Sequence, residues 1–344
     1  MTLLSVQDLH VRFRTAAGEV RAVDGVSFEL AEGESLGLVG ESGCGKTTVA
    51  KAILRLLAPN GSIPEGRIVF RGRDLLRMPP EEFRQERWRH IALVTQSAMN
   101  ALDPVYRAGT QIVEAIRAHE TCSRREAWQR AARLFEAVGL EPTRLHQYSH
   151  QFSGGMRQRA IIAMALALGP ELIIADEPTT ALDVVIQDQV FEEFERLQRG
   201  GRKALILITH DISLVAENCG RVAVMYAGQI VEMASAREIF ANPLHPYTIG
   251  LQNAFPNLRR RSRELISIPG APPNLAAPIE GCRFAPRCPF GQARCTHEAP
   301  LLAPAGEGHL IACHFADSAG EFRERGRSAE TWERNEAGRM ARMG

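Results

Sequence analysis

The 344-residue sequence has almost no excess charge of either sign and no apolar run long enough to cross a membrane. Its 41 basic residues nearly balance its 40 acidic residues, which gives no field that favours nucleic acid or anionic lipid. The longest apolar stretch, residues 160–168, is about half of the roughly 20 residues that a spanning helix needs. The first ten residues also lack the basic start, apolar core and cleavage site of a secretory signal. We therefore expect a cytosolic protein that binds no nucleic acid.

Hydrophobic periodicity predicts that the chain begins with β-structure. Residues 3–30 alternate apolar and polar positions around a turn near residues 16–19, which is typical of antiparallel strands. The apolar run 35–39 is followed by a glycine-rich turn, and apolar residues then recur at helical spacing over residues 47–57. The pattern predicts the order strand, loop, helix.

The middle of the chain predicts an α/β core with a helical insert. The short apolar runs 172–175 and 204–208 are typical of parallel strands that helices cover on both faces. Residues 106–150 are rich in Ala, Arg, Glu and Leu and predict inserted helices. After residue 239, prolines cluster and four of the seven cysteines appear, which indicates a separate C-terminal module. From Asp317 onward the chain is charged and predicts a flexible tail.

The segment that begins at Gly40 reads Gly-Glu-Ser-Gly-Cys-Gly-Lys-Thr and matches the pattern of a phosphate-binding loop. Its glycines let successive backbone N–H groups face the phosphates, while Lys46 reaches the β and γ oxygens and Thr47 ligates Mg²⁺. An ordinary tight turn is the alternative, but the Lys-Thr pair and the flanking strand and helix favour a nucleotide site. The residues expected to contact the nucleotide are Gly40, Glu41, Ser42, Gly43, Cys44, Gly45, Lys46, Thr47 and Thr48.

Two carboxylates follow the predicted buried strand 172–175. Asp176 is expected to hold Mg²⁺, and Glu177 to polarise the water that attacks the γ-phosphate. A solvent-exposed charge pair at a strand end is the alternative. The presence of the phosphate loop favours the catalytic interpretation.

Residues 152–159, Phe-Ser-Gly-Gly-Met-Arg-Gln-Arg, lie between these motifs and begin an apolar helix. Ser153 is a natural N-cap, and the turn formed with Gly154 and Gly155 makes a second anion site at the helix N-terminus. The segment resembles the signature that defines ABC ATPases among phosphate-loop proteins, and it identifies the chain as a member of that family. The resemblance implies that two cassettes pair head to tail and that each signature closes on the ATP of the other. A capped helix without this role is the alternative.

Further positions match the family pattern in order along the chain. The resemblance implies that Gln96 senses Mg²⁺ and water, that Asp183 crosses the dimer interface and that His210 contacts the γ-phosphate. Phe13 matches the aromatic residue that stacks on adenine, although a core role is the alternative for an early-strand Phe. The implied catalytic residues are Glu177, His210, Lys46 and Gln96, and the implied Mg²⁺ ligands are Thr47, Gln96 and Asp176.

Four cysteines, Cys282, Cys288, Cys295 and Cys313, lie close together near the C-terminus. Their spacing is too wide for a zinc ribbon, and a cytosolic location disfavours disulfides. The string 281–289 resembles the C-terminal extension of the oligopeptide, dipeptide and nickel importer ATPases. That resemblance implies that the four thiols hold a [4Fe-4S] cluster of structural role. Zinc and unligated thiols remain alternatives, and His314, beside Cys313, is a possible competing ligand.

The resemblance to this importer subfamily extends to about Phe315 and includes the strings 99–104 and 242–248. It implies an α/β fold: a phosphate-loop NTPase (ABC cassette) core with an antiparallel β subdomain and a helical insert, plus a small Cys-rich C-terminal module. The expected domains are an ABC ATPase nucleotide-binding domain at 1–240 with its insert at about 97–157, a Cys-rich extension at 241–316 and a flexible charged tail at 317–344.

The implied function is that of the ATP-hydrolysing motor of an ABC importer for peptides or related small solutes. Met156 departs from the usual Gln of the signature, as in the first of two non-identical cassettes, so a homologous second ATPase is the expected partner. Two transmembrane permeases and an extracytoplasmic solute-binding protein would complete the assembly, with this chain peripheral on the cytoplasmic face of the inner membrane. A soluble ABC ATPase outside transport is an alternative, but the chain has neither a second cassette nor a long coiled coil. A non-catalytic nucleotide-binding scaffold is another, but the catalytic residue types are all present.

Overall fold

The computed structural model of the protein describes residues 1–16, 18–95, 102–179, 184–199, 203–254 and 266–333. Gln96 and Asp183, and the first half of the string 99–104, lie outside the described residues. Across the described ranges, no helix combines the length and the apolar character needed to traverse a bilayer.

The described strands and helices follow the predicted order of a β-rich start, an α/β core and inserted helices. The strands are β1 (Thr2–Thr15), β2 (Gly18–Ala31), β3 (Ser35–Val39), β4 (Gly61–Ser62), β5 (Arg67–Phe70), β6 (Arg73–Asp74), β7 (Ile91–Val94), β8 (Leu172–Asp176), β9 (Ala204–Thr209), β10 (Arg221–Tyr226), β11 (Gln229–Ser235), β12 (Ala303–Gly306) and β13 (His309–Ile311). The helices are α1 (Lys46–Ile53), α2 (Pro80–Glu86), α3 (Ala108–His119), α4 (Arg124–Ala137), α5 (Gly154–Ala165), α6 (Val184–Arg199), α7 (Ile212–Asn218), α8 (Ala236–Ala241), α9 (Pro246–Asn253), α10 (Ala293–His297) and α11 (Ala319–Arg325). Short 3₁₀ turns cover Pro142–His146, Ser149–Gln151 and Ala316–Ser318.

The chain divides into two compact units, each assembled from separate stretches of sequence. The first unit comprises residues 1–4, 30–35 and 69–208, and the second comprises residues 5–29, 36–68 and 209–344.

In the first unit, β7, β8 and β9 pair in parallel, as their apolar sequences predict. Every residue of β8 and β9 is buried, which explains why these strands show no alternation. Helices α3 and α4 and the turns after them occupy the stretch in which inserted helices are predicted. Ser123 begins α4 with a capping box, in which its Oγ accepts from Glu126 N and the Glu126 carboxylate accepts from Ser123 N.

In the second unit, the long strands β1 and β2 form the expected β-rich start, and β4 pairs antiparallel with β1. β3 pairs in parallel with β10, and β10 pairs antiparallel with β11. Helix α1 ends at Ile53, earlier than the periodicity to residue 57 predicts. The reason is that Leu54 is its C-cap and Arg55 adopts a left-handed φ of 51°, which stops the helical hydrogen bonds.

The segment that contains the four C-terminal cysteines, expected as a Cys-rich module at 241–316, pairs with a strand that precedes it in the sequence. Strand β13 pairs antiparallel with β11, with Ile311 opposite Glu232 and Leu310 opposite Met233. β12 then pairs with β13. The proline and cysteine content changes after residue 239, but β11 and the strands β12 and β13 belong to one compact unit.

The structure also differs from the expected flexible tail over residues 317–333. Helix α11 places Phe322 against Phe290, with ring centroids 4.3 Å apart and planes 12° from parallel. Trp332 is only 1% exposed, and its Nε1 donates to Gly326 O at 3.0 Å. A few large apolar side chains therefore fix a stretch whose average composition is charged.

Candidate functional site

The turn between β3 and α1 can be built only with glycine at two of its positions. At Gly40, a Cβ would lie 2.1 Å from Met225 O, and at Gly45 it would lie 2.4 Å from Ala22 O. Gly45 also has a φ of 107°, which L side chains rarely adopt. It is the N-cap of α1 and provides no side-chain cap. The result is the close backbone turn in front of a helix N-terminus that phosphate groups bind.

Lys46 lies over this loop and is 6% exposed. Its Nζ donates to Gly40 O at 2.6 Å and to Glu41 O at 2.9 Å. The ammonium group is thus held at the loop where a triphosphate would bind. Cys44 is buried within the loop, and burial raises the pKa of its thiol. Among the other predicted contacts, Ser42 and Gly43 are exposed, whereas Thr47 and Thr48 are partly buried.

Glu41 is held by two residues that follow it by more than 200 positions. Arg287 Nη1 donates to Glu41 Oε2 at 2.6 Å, and Arg287 Nη2 donates to Oε1 at 2.9 Å. The backbone N of Glu41 donates to Tyr247 Oη at 2.8 Å. In the sequence, Tyr247 and Arg287 fall within the segments 242–248 and 281–289 that resemble the importer subfamily, and neither residue was predicted to have a role. Nothing in their spacing from residue 41 signals the contact, because it depends on tertiary structure.

A second arginine, Arg283, lies next to Cys282 and contacts strand β2 of the same unit. Arg283 donates to the Asp24 carboxylate and to Ala227 O. Burial alone would raise the pKa of Asp24, but Arg283 and His10 together hold it below its ordinary value. Gly228 N, next in the same turn, donates to Cys44 O at 2.9 Å. Arg283 therefore supports a turn that bonds directly to the phosphate loop.

In the first unit, Asp176 and Glu177 follow one another at the end of β8. Asp176 is 5% exposed. Glu177 has a φ of 48°, an unusual conformation for a residue with a side chain, and its N donates to Ile208 O at 2.8 Å. Five other described residues with side chains also have a positive φ, so this conformation fixes the direction of the chain after β8 and does not by itself mark a function. The next residue, Pro178, accepts a hydrogen bond through its carbonyl from Gln158 Nε2.

Gln158 belongs to the segment recognised as the signature, so this helix contacts the loop that carries Glu177. Ser153 caps helix α5 as predicted, and its Oγ accepts from Met156 N at 3.3 Å. Gly154 and Gly155 form the first turn and are partly exposed. Phe152 is 3% exposed and packs edge-on against Phe135, so in this chain that position contributes to the core.

The structure places the remaining predicted residues at the ends or edges of strands. His210 follows β9 and is exposed, while the next residue, Asp211, caps α7 by accepting from Ser213 N at 2.8 Å. Phe13 lies in β1 and is partly buried, opposite Gly61 of β4.

The four C-terminal cysteines line one cavity. Its volume is about 20 Å³, and it is partly open to solvent. Burial raises the pKa of the thiols of Cys282 and Cys288, and it raises that of Cys313 to about 11. A negative charge on another cysteine of the set would raise each of these pKa values further. His314 lines the same cavity, but its Nε2 lies 2.8 Å from Glu298 O.

The spacing of the four sulfur atoms bears on what they could hold. In a zinc site the Zn–S distance is about 2.3 Å, so tetrahedral geometry places sulfurs about 3.8 Å apart. Among the described residues, no three of the four sulfurs lie within 4.8 Å of one another.

Comparison with known proteins gives matches over both halves of the chain. Residues 23–180 match the family described as ABC transporter, and residues 231–295 match the family described as Oligopeptide/dipeptide transporter, C-terminal region. The dipeptide transport ATP-binding protein DppD of Bacillus subtilis is 45% identical over 322 residues, which cover 93% of this chain and 96% of that protein. The oligopeptide transport ATP-binding protein OppD of Salmonella typhimurium is 46% identical over 313 residues, which cover 90% and 93%.

Solved structures agree with the fold. A dimeric ATP-binding cassette in a post-hydrolysis state with ADP and Pi matches 68% of this chain and 99% of its own, with a TM-score of 0.63 and 25% identity. The ABC-type α/β fold is thereby confirmed. The extent and identity of the matches show that the chain belongs to the ABC transporter family, among the ATP-binding proteins of oligopeptide and dipeptide transport.

Proposed function

We propose that the chain is the ATP-hydrolysing motor subunit of an ABC importer for dipeptides or oligopeptides. The observation that carries the proposal is the loop at residues 40–48, where two positions accept only glycine and Lys46 lies over the turn. In the first unit, two carboxylates, Asp176 and Glu177, lie at the end of the buried strand β8, and they support catalysis in addition to nucleotide binding. The named activities of the relatives support peptides as the solute class.

In the proposed reaction, the loop N–H groups and Lys46 bind the β and γ phosphates. Thr47 and Asp176 would hold Mg²⁺, which neutralises phosphate charge when it is bound. Glu177 orients the attacking water and takes up its proton, and His210 contacts the γ-phosphate. Phe13 stacks on adenine. The proposed contributions of Gln96 and Asp183 lie outside the described residues.

Ser153, Gly154 and Gly155 are proposed to close on the ATP of a partner cassette. Their partial exposure at a capped helix N-terminus supports such a contact. A homologous second ATPase is the proposed partner, together with two permeases and a solute-binding protein outside the membrane. The chain would then lie against the cytoplasmic face of the inner membrane and transmit closure through the helical insert.

The cysteine cavity is proposed to hold a [4Fe-4S] cluster with Cys282, Cys288, Cys295 and Cys313 as ligands. Four thiols around one cavity support this donor set. Anaerobically purified protein should contain near four irons and four sulfides per chain, by stoichiometry of the cluster. A variant with all four cysteines changed to Ser should contain none. One zinc per chain, or iron retained by the variant, would contradict this assignment.

Peptide uptake tests the transport function. A strain that lacks the gene should lose uptake of radiolabelled dipeptides or tripeptides, and the wild-type gene should restore it. The Glu177→Gln variant, expressed at the same level, should fail to restore uptake because it lacks the base for hydrolysis. Normal peptide uptake in the deletion strain, or full restoration by the variant, would contradict the proposal.

A further inference from the structure

The contacts of Glu41 form a clamp on the phosphate loop that the proposed function leaves without a role. The Glu41 clamp consists of Glu41, Tyr247 and Arg287. The Arg287 guanidinium makes two parallel hydrogen bonds to the Glu41 carboxylate, at 2.6 and 2.9 Å, and Tyr247 Oη accepts from Glu41 N at 2.8 Å. Both the side chain and the backbone of a loop residue are thus fixed from the C-terminal part of the same unit.

Arg287 is also fixed by contacts other than the one with Glu41. It is 3% exposed, and its Nε donates to Pro269 O at 2.9 Å. Its Nη2 donates to Ile268 O at 3.2 Å, and its Nη1 donates to Tyr226 Oη at 3.3 Å. Since these contacts fix the plane of the guanidinium, the fork presented to the carboxylate is preorganised.

Tyr247 is fixed equally well. It is fully buried, and its ring packs against those of Tyr226 and Phe284 with centroids 4.7 and 5.4 Å away. Phe284 lies three residues before Arg287 in the cysteine segment. The aromatic cluster therefore ties both arms of the clamp to one another.

Charge explains what the clamp does. Glu41 lies in a loop whose proposed ligand is a triphosphate, and an unpaired carboxylate there would repel it. Arg287 neutralises that carboxylate and fixes its direction. Glu41 O is also one of the two carbonyls that hold Lys46, so the position of Glu41 affects the lysine as well.

We propose that Arg287 is a positioning residue for ATP binding: it neutralises Glu41 and holds the phosphate loop in its binding conformation. This inference rests on the proposed function, since it takes ATP as the ligand of the loop. It makes the C-terminal segment part of the nucleotide site's support, with Arg287 acting only through Glu41.

The test is equilibrium binding of a fluorescent ATP analogue with Mg²⁺ to the purified full chain. Arg287→Ala should raise the Kd about tenfold, which corresponds to about 1.4 kcal/mol. Adding Glu41→Ala to this variant should recover at least about threefold in Kd, because the unpaired negative charge is removed. The control is Arg294→Ala, in the same segment, since Arg294 pairs with exposed Glu298 and should leave the Kd unchanged.

The outcomes separate this inference from the proposed function. No saturable binding by the wild-type chain would refute the nucleotide site itself. Wild-type binding with an unchanged Kd in Arg287→Ala would overturn the clamp alone. A double variant that binds as weakly as Arg287→Ala, or more weakly, would also overturn it, because a merely structural role predicts no rescue.

A second variant covers the case in which Arg287→Ala fails to fold, as circular dichroism and thermal melting would show. Arg287→Lys keeps the charge but loses the planar fork, so we expect a Kd about threefold above wild type. A wild-type Kd in Arg287→Lys would overturn the proposal.

Discussion

Glu232 offers a sharp test of how the C-terminal part of the chain is held. It lies in β11 and is 0% exposed. Its Oε1 accepts from Leu244 N at 2.7 Å and from His309 Nε2 at 2.8 Å, and its Oε2 accepts from His245 N at 2.9 Å. Three donors in the protein interior therefore depend on one carboxylate, and replacement by Ala leaves all three without it.

The cost of Glu232→Ala can be worked from these bonds. A buried donor left without an acceptor costs about 1–3 kcal/mol. His309 can rotate or change its tautomer, but the two backbone N–H groups cannot move away. We therefore expect a loss of about 2–6 kcal/mol in the free energy of unfolding. The loss should extend to function, since His245 caps α9 and this helix carries Tyr247 of the Glu41 clamp.

Urea denaturation followed by circular dichroism would measure the loss, with ATP binding measured in parallel. Glu298→Ala, an exposed carboxylate of the same segment, is the control and should leave the unfolding transition unchanged. A loss below about 1 kcal/mol in Glu232→Ala would refute the reasoning, because it would mean that the backbone donors find other partners.

Three further predictions concern catalysis, pH and the tail. Glu177→Gln should lower the rate of ATP hydrolysis by about 10²–10⁴-fold with ATP binding retained, and an unchanged single-turnover rate would contradict its role. Arg283 and His10 hold the pKa of Asp24 in the folded protein below its value in the unfolded chain. The contacts of the Asp24 carboxylate therefore stabilise the fold fully when the pH is above the unfolded pKa, and this stability is lost as the pH falls through the folded pKa. Asp24→Asn should therefore reduce the drop in melting temperature on acidification below about pH 4, and an identical pH profile would count against the contact. Trp332→Ala should cost about 3–5 kcal/mol by removing a buried ring, whereas an unchanged urea midpoint would show that residues 317–333 add little to the fold.

Much of the nucleotide site could be predicted from sequence, because each of its motifs is local. The glycines at residues 40 and 45, the Lys-Thr pair and the flanking strand and helix occupy one continuous segment, and their backbone conformation follows from it. The Ser153 cap is local in the same way and is confirmed. Asp176 and Glu177 could be located because an all-apolar strand precedes them.

The support of the site could not be predicted, because it depends on contacts between distant positions. Arg287 and Glu41 are 246 residues apart, and neither position carries a local signal of the pairing. The strands β12 and β13 are short and contain no clear alternation, so nothing in the sequence indicates that β13 pairs with β11 and β12 with β13. The packing of residues 317–333 could not be predicted from their charged average composition, because it depends on two buried aromatic side chains, Phe322 and Trp332.

The most direct test of the account is equilibrium binding of ATP, with Mg²⁺, to the purified wild-type chain and to Lys46→Ala. We expect saturable binding of one ATP by the wild type. The variant should bind about 10–100-fold more weakly, because a hydrogen bond to a charged group contributes about 1.5–3 kcal/mol. Circular dichroism should show both proteins folded. Equal affinities, or no saturable binding by the folded wild type, would contradict the assignment of residues 40–48 as the ATP site.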